Sequence, residues 1–327
     1  MYLSVPVALL LGALATTGVL VAAMFSGVLF HVLAVLPIAV MADLTRGMAS
    51  LRTEAVPGYQ LDPAQQSRLQ AVLQEVAQEV GTRNVDSVYV VPDATIAVLI
   101  RGTPWQLLWN KGRRCLLVGA TALKGMDTRS ARAMLAREFA LLKSHDTGIP
   151  IARSMRGALG AASNNTAATA GWFIDIFRLP YLRMSGGLGR LQGVAADRVA
   201  MRLYGSRALV NGIRHCTTNQ VWFRWLVAAV EREGHTCPNI YQHEPSIAPD
   251  DGQIEALIAH EMNRKRRGWE VTTSPAQRIA AAEKLGAVVT ARRDDEEDAW
   301  DLIDNGEYIE RDLTLHLRTA GRLNLGF

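Results

Sequence analysis

Cysteine is scarce in this chain: Cys115, Cys216 and Cys237 are the only three in 327 residues. An odd, scattered set does not make a disulfide framework, and it fits a reducing compartment. A small metal site of Cys237 with His235 and His243 matches no strong ligand spacing, and ordinary packing is the better reading. Charge imbalance is also small. The 35 Lys and Arg against 31 Asp and Glu leave a formal net charge of +4, so composition gives no reason to expect a nucleic-acid partner. No Lys or Arg precedes the apolar run that opens the chain. That run is also far too long for the core of a cleaved signal peptide.

What is present begins with Leu3 to Ala42, almost unbroken apolar sequence interrupted by His31 and small residues. A membrane span takes about twenty residues, so the stretch is long enough for two, with Ser26-Gly27 as the turn. Arg46 and Arg52 follow closely, which puts the rest of the chain on the cytosolic side. The expected organisation is a transmembrane helical hairpin over 1–45, a main cytosolic domain over 46–290, and an acidic linker with a closing helix over 291–327. The expected location is integral to a membrane, the inner membrane of a bacterium, with membrane lipid as a partner. His31 reads as a neutral histidine bonded to the neighbouring span.

Asp62-Pro63 reads as a helix start, and Leu69, Val72, Leu73 and Val76 give the following helix an apolar stripe that ends at Gly81. Ser87–Val91, Asp93–Ile100 and Arg114–Gly119 read as strands. The loop 102–112 between the last two contains Trp105 and Trp109. The chain then turns helical at Asp127, a good N-cap residue. Pro180 and Gly186-Gly187 are expected to break the chain between a helix over 157–177 and another over 188–205. Trp222–Val230, Ile254–Arg267 and Trp300–Leu317 read as further helices, and Asp294–Asp298 as an acidic linker.

The helix after Asp127 carries the most specific pattern. Its second half reads Ala136-Arg137-Glu138-Phe139-Ala140-Leu141, then four residues from Leu142 to His145, then Asp146-Thr147. This resembles the active helix of the membrane-anchored HtpX-like zinc metallopeptidases, where Ala-His-Glu-Phe-Gly-His is followed four residues later by Asp-Thr. Two histidines four apart share one helix face and one zinc ion, and the glutamate between them is the general base. Further on, Gly193-Val194-Ala195-Ala196-Asp197-Arg198 resembles the family's Glu-x-x-x-Asp, whose Glu is the third ligand and whose Asp lies behind it. Asp93-Ala94 takes the place of the family's Asn-Ala pair at its edge strand. Thr273-Ser274-Pro275 with Arg278-Ile279 resembles its late His-Pro…Arg-Ile element.

The resemblance implies an α+β, mostly helical fold: a zincin-like domain with a small edge β-sheet behind the membrane hairpin. It also implies that the zinc ligands are gone. Arg137, Leu141 and Gly193 stand where two His and one Glu belong, while Glu138 remains as a vestigial general base. Asp146, Asp197 and Arg198 remain as supporting residues. Arg137 is a permanent cation that repels a divalent ion, Leu141 has no lone pair and Gly193 has no side chain. The expectation is therefore a pseudopeptidase with no metal cofactor, gripping a peptide or protein partner in the former substrate groove. Arg137 is expected to pair with Asp197 or Glu138. Two other readings stay open. One is an active zinc endopeptidase with relocated ligands drawn from His145, Asp146 and His215. The other is a structural subunit of a membrane complex.

Overall fold

The structure is a computed structural model that describes residues 58–101, 112–145, 168–233, 237–246, 250–264 and 273–319. Its elements are β1 (Tyr59–Gln60), α1 (Ser67–Val80), β2 (Ser87–Val91), β3 (Ile96–Arg101), β4 (Arg113–Gly119), α2 (Ala120–Leu123), α3 (Thr128–His145), α4 (Ala168–Tyr204), α5 (Ser206–Glu233), α6 (Asp251–Asn263), α7 (Pro275–Leu285) and α8 (Gly306–Thr319). Short 3-10 turns at Pro63–Gln65, Ile240–Gln242 and Ala299–Leu302 complete the order.

Local sequence explains the main helix starts and stops. Asp127 caps α3, its carboxylate taking the N–H of Ser130 at 2.7 Å and the Ser130 hydroxyl at 2.8 Å. Helix α1 buries Leu69, Val72, Leu73, Val76 and Val80 on one stripe. It ends at Gly81, whose φ of 75° is the left-handed conformation that glycine adopts without a Cβ penalty.

The sheet order is β1-β2-β4-β3, with β2 and β4 parallel and the other pairs antiparallel. β4 is central, and Arg114 to Gly119 are buried along it, as expected of a strand covered on both faces. β3 is a rim strand of the sheet. Helix α3 runs through the core and packs on α1, α4, α5 and β3. Ala131, Ala133, Leu135, Ala136, Phe139 and Leu142 are all buried along it. Because α3 is covered nearly all round, each charged residue on it needs a partner brought from elsewhere.

Two expectations are corrected. The fold class is α+β and mostly helical with a four-stranded sheet, but no membrane hairpin belongs in its description. Among the described residues no helix is long and apolar enough to cross a membrane. The longest, α4, carries Asp175, Arg178 and Arg183 in its N-terminal half, charges that are costly in hydrocarbon. Leu3–Ala42, His31, Arg46, Arg52, Trp105 and Trp109 lie outside the described residues. The second correction concerns Pro180 and Gly186-Gly187, which do not break the chain. They lie inside the single 37-residue helix α4, whose packing against α3 is the most extensive helix pairing here. A proline or glycine raises the cost of a helix without forbidding it.

The acidic run Asp294–Asp298 is docked rather than solvated. Arg132 of α3 is 3% exposed and bonds Asp294 through Nη2 at 2.6 Å and Asp295 through Nη1 at 3.1 Å. The N–H groups of Thr128 and Arg129 donate to the carbonyls of Glu297 and Asp295 at 2.9 and 3.1 Å. The acidic segment thereby satisfies donors in the first turn of α3, which otherwise have no helical acceptor.

Candidate functional site

Three helices and one strand meet at the pattern read from the sequence. Helix α3 supplies Arg137 and Glu138, α4 supplies Asp197, α7 supplies Arg278, and β3 supplies the backbone N–H of Val98. Arg137 donates from Nε to Asp197 Oδ1 at 3.0 Å, and from Nη1 to Glu138 Oε1. Both pairings expected of Arg137 are therefore present. Arg278 donates to Asp197 through two nitrogens, Nε to Oδ2 at 2.9 Å and Nη2 to Oδ1 at 2.8 Å. The second oxygen of Glu138 accepts from Val98 N at 3.4 Å.

The four side chains are 9–13% exposed. Two guanidiniums and two carboxylates sum to zero charge, which is what permits their burial. Burial works against charge on Arg137, but the carboxylates of Glu138 and Asp197 outweigh it and hold its pKa above the ordinary value. Arg278 is shifted the other way, first by burial and then by the like charge of Arg137, with Asp197 opposing. An arginine shifted in either sense stays protonated at physiological pH.

Local structure explains how Arg278 arrives. Ser274 caps α7, with its hydroxyl on Gln277 N and the Gln277 side chain returning to Ser274 N, and Pro275 opens the helix. Arg278 therefore sits in the first turn, facing Asp197. Reading the sequence assigned this residue only to a late element and did not place it at the site. The Ser-Pro cap was the signal that could have oriented it.

The other site residues are placed as follows. Leu141, one turn beyond Arg137, is buried in the core at 6% exposure. Gly193 lies one turn before Asp197 on α4, and a Cβ built on it meets nothing within 4 Å. Arg198 is exposed beside Asp197. Asp146 lies outside the described residues.

Zinc does not fit this arrangement. The positions that the resemblance assigns to ligands hold a cation, an aliphatic side chain and no side chain at all, and both neighbouring carboxylates are engaged by guanidiniums. Among the described residues no group of three or more His, Cys, Asp and Glu is placed to hold a metal ion. Of the relocated-ligand set, His145 is the last residue of α3, and His215 lies on α5 with Nε2 3.1 Å from the Lys124 carbonyl and 2.8 Å from the Asn219 amide nitrogen. Burial lowers its pKa. Cys237 donates to the Asn239 carbonyl at 3.1 Å, and His243 Nε2 lies 2.9 Å from a Glu233 oxygen. Their geometry is that of packing and local bonding.

Comparison of the chain with protein-family models, with curated proteins and with solved structures returned no match in any of the three.

Proposed function

We propose that this chain is a catalytically silent counterpart of the HtpX-like zinc metallopeptidases, a module that holds an extended peptide or partner protein along the rim strand β3. The observation that carries this reading is the Arg137 guanidinium seated between Glu138 and Asp197. It supplies there the positive charge that zinc supplies in the family the chain resembles. Without a metal to lower the pKa of water, Glu138 has no nucleophile strong enough to cleave an amide. Its carboxylate is moreover held by Arg137 and faces the N–H of Val98. The reading fits a reducing compartment, since Cys115, Cys216 and Cys237 are all free thiols.

The test restores the missing donors. The full chain and the variant Arg137→His/Leu141→His/Gly193→Glu are purified, checked for fold by circular dichroism and assayed for bound zinc by elemental analysis. The parent chain should hold far less than one equivalent. The triple variant should hold about one, since the helix spacing and the open volume at Gly193 favour it. A folded triple variant with no more zinc than the parent would remove the family-like geometry. Stoichiometric zinc in the parent would remove the silent reading.

A further inference from the structure

The hydrogen-bonding parity of β3 can be read from its ladder with β4. Ile96 pairs with Val118 and Arg101 with Arg113 in a regular antiparallel register. The Gly119 N–H donates to the Thr95 carbonyl at 2.6 Å, while the Arg114 carbonyl, opposite Ile100, accepts from Asp86 N at 2.8 Å on the β2 side, so the odd-numbered residues of β3 face β4. Hydrogen-bonded pairs alternate along an antiparallel ladder. Ala97, Leu99 and Arg101 therefore spend their backbone groups on β4, while Ala94, Ile96, Val98 and Ile100 turn theirs away from the sheet. Successive outward groups lie about 6.8 Å apart at the rise of an antiparallel strand. Another extended backbone matches that spacing of donors and acceptors.

Two of these four outward donors are already taken by the chain's own side chains. Ala94 N–H goes to the Gln220 amide oxygen at 3.0 Å, and Val98 N–H to Glu138 Oε2 at 3.4 Å. The Val98 bond falls outside the usual N–H···O range. The other Glu138 oxygen is held by Arg137, so the carboxylate can leave Val98 without giving up its ion pair.

We infer that Glu138 is a displaceable cap on the β3 edge: an extended peptide strand pairs with Ile96, Val98 and Ile100 once the Glu138 oxygen on Val98 moves away, its bond to Arg137 kept. The inference rests on the reading of β3 as the docking edge. It gives the vestigial general base a present role, that of an internal competitor for the middle of the edge. A partner must supply enough pairing at Ile96 and Ile100 to displace the carboxylate, which sets a threshold against casual strand addition.

The probe is a short fluorescent peptide of alternating Thr and Val, flanked by lysines and N-methylated on every second residue. It presents one hydrogen-bonding edge and cannot self-associate. Its affinity is measured by anisotropy for the full chain, for Glu138→Ala, and for each combined with Ile100→Pro. Removing the cap should tighten binding by about tenfold, equivalent to about 1.4 kcal/mol. Ile100→Pro removes an outward N–H without touching the β4 ladder, and it should weaken binding in both backgrounds. Equal affinity of the parent and Glu138→Ala, with sensitivity to Ile100→Pro, overturns the cap and leaves β3 as a docking edge. Binding by neither, or binding indifferent to Ile100→Pro, overturns both. Should Glu138→Ala fail to fold, Arg137→Met/Glu138→Ala keeps the cluster neutral and is judged by the same criteria.

Discussion

Arg278 grips Asp197 through both oxygens, at 2.8 and 2.9 Å, and so ties the first turn of α7 to the C-terminal part of α4. Asp197 also takes Arg137 at 3.0 Å. One carboxylate thus joins three helices, and removing a member of the cluster leaves an uncompensated buried charge.

Arg137→Leu should therefore lower stability by about 3–5 kcal/mol, the cost of breaking a buried pair from one side. Urea denaturation measures it. The comparison is Arg311→Leu, whose pair with Glu307 is more than 60% exposed on both sides and whose loss should cost under about 0.5 kcal/mol. Equal effects from the two substitutions would show that the cluster holds nothing together.

Neutrality rather than the individual bonds should set the cost. Arg137→Leu/Glu138→Leu removes one charge of each sign, and it should recover about 1–3 kcal/mol relative to Arg137→Leu alone. A double-mutant cycle by denaturation gives the coupling, and simple additivity would argue against a shared charge balance.

His215 supplies a pH dependence. Its folded pKa lies below the ordinary value of 6.5, chiefly because of burial, with the Lys124 carbonyl and the carboxylates of Asp298 and Asp127 opposing. The folded state therefore prefers the neutral ring. The stability it contributes is complete above the unfolded value and is lost as pH falls below it, at up to about 1.4 kcal/mol per pH unit. Thermal melts between about pH 7 and pH 5 should show a steeper decline in the parent than in His215→Gln. Parallel profiles would sink this assignment.

Gly119 closes β4 where no side chain fits. A Cβ there would lie 2.0 Å from the Asp93 carbonyl oxygen and 2.8 Å from Thr95 N, both backbone atoms. Gly119→Ala should cost about 3 kcal/mol, because neither neighbour can swing aside. Gly193→Ala, with nothing within 4 Å, should leave the melting temperature unchanged or slightly raised, since alanine is the better helix former.

Much of the fold was legible where the deciding interactions are local. The Asp127 cap, the α1 stripe and the Gly81 stop all lie within one or two turns of the residues they govern. The approach of Arg137 to Asp197 or Glu138 was legible through the resemblance, which sets Arg137 at the position of the metal charge beside both carboxylates. Contacts distant in sequence were harder to read. Arg132 meets Asp295 at a separation of 163 residues, and nothing around either marks the pairing. Arg278 reaches Asp197 only because α7 is aimed at it. The continuity of α4 through Pro180 is not recorded by local propensity, which scores proline and glycine as helix breakers.

The docking of the acidic segment has a consequence for biosynthesis. As the chain leaves the ribosome, α3 emerges long before Asp294 and Asp295, so Arg132 waits with two of its three carboxylate partners still unsynthesised. The nascent chain cannot bury that guanidinium at its final depth until translation has nearly finished, and the last turn of the ratchet belongs to the C-terminal residues.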